Sequence, residues 1–272
     1  MSRVSNARSQ SQQIDERIRT SRDPLSQIIT EAGSATDAML KDELFLQGAR
    51  LALQQSKLKL SLELATSISA NPDRKKWQEQ FLSELATTAI EKKAPEVAGE
   101  AIALIQLQSL KIPVLQKLTL YFFESKDLLK ARELLEDTLK AVNSIEDKPD
   151  KSLALLRLLP LIGKVNNEIA PIIGEQIVKS INSLPSPDST TDKAVLTSYV
   201  QKTLMPLTWQ ALPVFQALAE RDENLTLDLA NRIQLKEIRT SALLGIAIAK
   251  LSNAKKILND KRIKNRADSG PH

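Results

Sequence analysis

A chain of 272 residues with 42% apolar, 26% charged and only 3% aromatic side chains has the make-up of a soluble globular protein whose core is Leu, Ile, Ala and Val. It has no cysteine, and its one histidine is the last residue, His272. That excludes disulfides, the usual zinc sites, Glu-x-x-His di-iron centres and Ser-His-Asp or Cys-His catalysis in the body of the chain.

The net charge of +5 is concentrated at the two ends. Residues 1–22 hold five arginines against two acids, and residues 250–272 hold seven lysines and arginines against two aspartates, so 23–249 is left at −3. Residues 1–22 also lack apolar periodicity, which predicts a disordered basic N-terminal arm with at most a helical turn near Ile14 to Ile18. Asp23-Pro24 reads as an N-cap followed by proline at the first helical position, and Gly33 closes that short helix. Ser34 with Asp37 resembles a capping box and opens a helix over about 36–54. Helices are then predicted over 58–69, 73–91 and 95–108, with Pro113 opening another through Phe123. Further pairs follow over 127–143 and 149–164, and over 167–182 and 190–205, with residues 184–191 (LPSPDSTT) as the longest clear loop. Pro206 and Pro213 read as breaks around a short helix, and the last pair spans 223–234 and 236–258. Mid-helix Gly48, Gly99, Gly174 and Gly245 each lower helix propensity by up to ~1 kcal/mol, so they are placed at close helix–helix contacts.

One stretch is used more than once. Leu62 to Arg74 (LELATSISANPDR) aligns without a gap on Leu227 to Arg239 (LDLANRIQLKEIR). The shared positions are Leu62, Ala65, Ile68 and Arg74 in the first copy and Leu227, Ala230, Ile233 and Arg239 in the second, with Glu63 facing Asp228. Each copy reads as a helix end, a turn and a helix start. Counterparts at Glu100, Glu133 and Glu175 space the units irregularly, at 37, 33, 42 and 53 residues. A small alanine beside a leucine and three before an isoleucine sits where two helices meet, so Ala65→Leu and Ala230→Leu are expected to overpack that contact.

This LxLAxxI stretch, its short turn and arginine, and an apolar helix such as SALLGIAIAKL resemble the helical hairpins of tetratricopeptide-like and HEAT-like solenoids over 36–258. The tetratricopeptide Trp, Leu-Gly and Tyr signature and its regular 34-residue period are absent. The resemblance implies an all-α, irregular right-handed α-α superhelix of about twelve helices, with one helical-repeat domain over 23–258 and a disordered basic C-terminal tail over 259–272. It also implies a protein-binding scaffold, and it transfers no functional residue.

GxGxxG, Walker A and GxSxG are absent, so no enzyme and no cofactor are expected. The acidic clusters Glu133, Glu136 and Asp137, and Glu220, Asp222 and Glu223, read as solvated surface. Trp77 and Phe81, and Trp209 and Phe215, read as core fillers in a chain short of aromatics. Arg74 and Arg239 read as structural, pairing with an acid of the adjoining helix. Lys255, Lys256, Lys261, Arg262, Lys264 and Arg266 form the strongest basic run. They could meet nucleic acid or an anionic surface, though no aromatic accompanies them for base stacking, and basic residues also suit a helix C-terminus. No apolar run reaches 18 residues and no signal peptide is seen, so no transmembrane segment is expected; the compartment stays open, with the cytoplasm favoured. The expected partner is another protein or peptide, with nucleic acid the less favoured alternative.

Overall fold

The computed structural model describes the backbone of residues 12–69, 72–189 and 192–268, and the side chains of these except at 72, 73, 188 and 259–268. The described residues are helical, with no strand. The chain divides into two compact units, Met1–Tyr121 and Phe122–His272.

In the first unit, helix α1 covers residues 12–20. It is followed by α2 (Pro24–Ser34), α3 (Ala38–Gln54), α4 (Leu58–Thr66), α5 (Pro72–Glu91), α6 (Pro95–Leu104) and most of α7 (Gln108–Glu124). The predicted disordered arm is corrected from residue 12 onward, and residues 1–11 lie outside the described residues. Ile14 and Ile18 are buried with Ile28, Ala32 and Leu44, and Arg17 pairs with the buried Glu31 at 3.1 Å. Two isoleucines four apart lie one turn above each other, so a single turn of α1 buries both. Asp23 caps α2 by accepting from the Ser26 amide, and the Ser26 hydroxyl and amide hold its carboxyl below the usual range. Asp37 caps α3 through the Met39 and Leu40 amides, so that helix begins at Ala38 rather than at a Ser34 capping box.

Three turns between consecutive helices share one geometry. Between α3 and α4, α5 and α6, and α7 and α8, a residue adopts positive φ: Ser56 (61°), Lys93 (58°) and Lys126 (64°). The next amide reaches back five residues in each case, Lys57 to Ala52, Ala94 to Ala89 and Asp127 to Phe122, at 2.8–2.9 Å. This is the Schellman closure of a helix end, made here without glycine.

The second unit holds the end of α7, then α8 (Leu128–Asn143), α9 (Lys148–Val165), α10 (Ala170–Asn182) and α11 (Lys193–Tyr199). A π-helical turn over Val200–Leu204 leads into α12 (Met205–Ala219), α13 (Glu223–Asn231) and α14 (Lys236–Asp268). The predicted loop at 184–191 contains a 3-10 turn, Pro187–Ser189. Leu155, Leu156, Leu158, Leu159 and Ile162 of α9 are all fully buried and form the centre of this unit. Helix α14 continues to Asp268, so the predicted end near 258 is corrected and the basic segment through Arg266 is helical backbone.

Pro113 and Pro213 lie inside α7 and α12 and do not begin or break a helix. Proline deprives the carbonyl four residues earlier of its donor. Those carbonyls belong to Ser109 and Trp209, both exposed residues, while Val114, Leu115, Val214 and Phe215 bury the other face.

Of the four glycines placed at helix contacts, three are there. A Cβ on Gly48 would lie 3.2 Å from Ile28, one on Gly174 2.6 Å from Leu229, and one on Gly245 2.3 Å from the Leu212 carbonyl oxygen. Gly99 is the exception, with nothing within 4 Å.

Candidate functional site

In the first unit α3 and α5 present side chains at helical spacing to one side: Met39, Glu43, Leu46 and Arg50 from α3, and Arg74, Trp77, Phe81 and Glu84 from α5. Between them run two adjoining depressions of about 600 and 470 Å³, and a third of about 450 Å³ lies between α3 and Ile18, Pro24 and Ile28 of α1 and α2. The first two share Trp77, so they form one groove, and the third adjoins it at Leu46 and Arg50.

The groove's end at α3 is the most built part. Arg74 is buried, at 8% exposure. It donates to the Met39 carbonyl at 3.3 Å, faces Glu43 at 4.0 Å, and lies 5.4 Å from the centre of the Trp77 ring. The guanidinium is therefore fixed by a backbone oxygen, a carboxylate and an aromatic face. Beside it Asp42 is buried and accepts from the Ser69 amide at 2.8 Å and hydroxyl at 2.5 Å, which ties the turn after α4 onto α3. Trp77 stays 50% exposed and Met39 62% exposed. The predicted core role of the tryptophans is thus corrected. Phe81 and Phe215 are buried at 2% and 1%, while Trp77 and Trp209 (69%) face out.

The Asp42 device recurs. The amide following the buried Ile105 donates to Glu79 Oε2 at 3.0 Å, with Leu107 doing so at 2.7 Å. The amide following the buried Ile233 donates to Asn182 Oδ1 at 2.8 Å. In each case a polar side chain from a neighbouring helix seizes the first free amide after a buried isoleucine. Orphan donors at such turns require a partner when water is excluded.

The two copies of the shared stretch agree in their packing residues and differ in the rest. Ala65, Ala230 and Ile233 have 0% exposure and Ile68 has 7%. Leu62 is buried at 8%, whereas Leu227 is 39% exposed. Arg239 is half-buried and its side chain makes no hydrogen bond or ion pair among the described residues, unlike Arg74. Trp77 aligns on Ala242, which is fully buried, because α12 closes that face of α14 down to the contact of Gly245 with Leu212. The same face of α5 is open, and that difference makes the groove. The sequence signal for it is Trp77 set among Lys75, Lys76 and Gln78, polar neighbours that mark a solvated turn.

Lys255 and Lys256 are exposed on α14, and Lys261, Arg262, Lys264 and Arg266 follow along the same helix with side chains outside the described residues. They are in the second unit and do not line the groove. The acidic clusters disperse into exposed pairs: Glu133 with Lys130 at 3.4 Å, Asp137 with Lys140 at 3.0 Å and Glu223 with Lys250 at 2.7 Å. The counterpart Glu175 grips Arg232 with both oxygens, which holds its carboxyl below the usual range and raises the arginine further. Among the described residues no three metal-ligating side chains converge, and no helix is long and apolar enough to cross a membrane.

No protein-family model, curated protein or solved structure matches the chain.

Proposed function

We propose that the chain is a non-enzymatic protein-interaction scaffold, an irregular α-α solenoid similar to tetratricopeptide-like and HEAT-like proteins, and that the groove of α3 and α5 holds a peptide segment of its partner. The observation that carries this reading is Trp77 and Met39 left exposed around a buried, oriented Arg74. Exposed aromatic and methionine side chains grouped with arginine in a concavity are the composition of an interaction hot spot. The recurring Schellman turns and amide-capturing side chains support the hairpin-repeat part. In such an array the first helix of each hairpin lines one surface, as α3 and α5 do here. An apolar side chain would rest on Trp77 and Met39, and an acidic one would reach Arg50 or the Arg74 edge.

Selection of peptides from a random display library tests the reading. Peptides selected on the intact chain should bind Trp77→Ala and Met39→Ala at least tenfold more weakly, since truncating a hot-spot residue costs about 2 kcal/mol or more. Both residues are exposed, so the variants should melt as the parent does. Peptides that bind both variants with parental affinity would exclude the groove.

A further inference from the structure

We propose that the outward face of α14 is a docking ridge for an anionic lipid surface. The inference rests on the second unit alone and is independent of the peptide groove.

Helix α14 has two apolar sides. The inner side, with Ile238, Ala242, Gly245, Ile246 and Ala249, is buried. There Ser241 Oγ donates to the Thr208 carbonyl at 2.8 Å, and Gly245 lets α14 lie against the α12 backbone. A single apolar face is all that packing requires. Yet Leu244, Leu251 and Leu258 are exposed at 51%, 65% and 61%. Seven residues are nearly two helical turns, so these three leucines form one stripe. Ala247 and Ala254, also exposed, fill the gaps between them.

Lys255 lies beside this stripe, within about 60° of it around the helix, whereas Lys256 continues the line of Ala242 and Ala249. Lys250 pairs with Glu223, but Lys255 and Lys256 are exposed and pair with no acid among the described residues. An aliphatic ridge bordered by Lys255, on a segment whose residues 250–272 carry a net +5, calls for a surface that is apolar beneath and anionic on top. Nucleic acid would use the lysines and leave the leucines in water, and residues 236–258 hold no aromatic for base stacking. A second copy would bring like charges together. A bilayer with anionic headgroups takes both features at once. The leucines enter the acyl boundary, the Lys255 stem lies along it, and no directional hydrogen bond is needed.

The test is co-sedimentation of the full chain with large vesicles of phosphatidylcholine alone, or of phosphatidylcholine containing about one-third phosphatidylglycerol. Binding is expected to the anionic vesicles, at least tenfold above the neutral ones, and to fall with added salt. Replacing Lys255 by Gln should weaken it about fivefold, and Lys256→Gln, on the far side of the helix, should weaken it less. Replacing Leu251 and Leu258 together by Gln should weaken it at least tenfold, while Leu129→Gln, on an exposed leucine of α8, should leave it unchanged. Loss of either dependence overturns the proposal. So does binding to duplex DNA without binding to vesicles, or a dimer in sedimentation equilibrium that the double leucine variant dissociates.

Discussion

Gly99 and Gly245 carry the same propensity penalty in their helices, but their surroundings give them opposite worth. Nothing lies within 4 Å of the site where Gly99 would bear a Cβ, so Gly99→Ala should stabilise by ~0.5–1 kcal/mol through the unfolded chain. At Gly245 the added methyl would meet the Leu212 carbonyl oxygen at 2.3 Å, a backbone atom that cannot turn aside, and the variant should lose ~1–3 kcal/mol. Ala65→Leu and Ala230→Leu belong with Gly245, since both alanines have 0% exposure, whereas Glu63→Gln on the exposed side of α4 should stay within ~0.5 kcal/mol. Urea denaturation of the set checks the ordering. A Gly245→Ala midpoint at or above that of Gly99→Ala would mean that α12 and α14 do not meet as closely as described.

The helix-to-helix turns are the clearest device at the scale of elements. Ser56, Lys93 and Lys126 hold a left-handed conformation that costs an L-residue roughly 1 kcal/mol, and the Schellman bonds offset it. Glycine there has no Cβ to strain. Lys93→Gly and Lys126→Gly should therefore each stabilise by ~0.5–1 kcal/mol, while Lys117→Gly, on an exposed position inside α7, should destabilise by about 1 kcal/mol. Thermal melting of the three variants separates the cases, and equal destabilisation by all three would contradict the left-handed geometry. The breaks themselves fall between the predicted helices, but the left-handed residue in each was hidden from pattern reading because no glycine or asparagine marks it. The prolines misled in the other direction, since Pro113 and Pro213 look like boundaries but sit on wet faces of continuous helices.

Each compact unit is built on one helix. In the second unit α9 has five fully buried aliphatic side chains. In the first, Phe81, Leu82, Leu85, Ala86 and Ala89 of α5 are buried at 2% exposure or less. Native-state hydrogen exchange should find the slowest amides of each unit in these two helices, and faster exchange in α1, α11 and the part of α14 beyond Leu258. If α11 exchanges more slowly than α9, the core of the second unit is elsewhere. The net charge of −3 over 23–249 against +5 over 250–272 is a property of this scale as well, and it sets α14 apart from the body that carries it.

Composition and 3.6-residue periodicity determined the all-helical class, most helix positions and the buried registers at Ala65, Ile68, Ala230 and Ile233, because each of these depends on local pattern and on which side of a helix is apolar. The missing histidines and cysteines equally determined which chemistries the body cannot perform. Tertiary structure decided the remainder. Whether Trp77 is core or surface depends on whether another helix covers its face of α5, and the aligned Ala242 shows the covered alternative. Whether residues 12–20 are arm or helix depends on the pocket that α2 and α3 offer to Ile14 and Ile18. Whether the basic run begins a tail or extends a helix depends on α12, which anchors α14 through Gly245. A sequence read along its length specifies which faces are apolar, and the partner of each face is fixed only when distant helices meet.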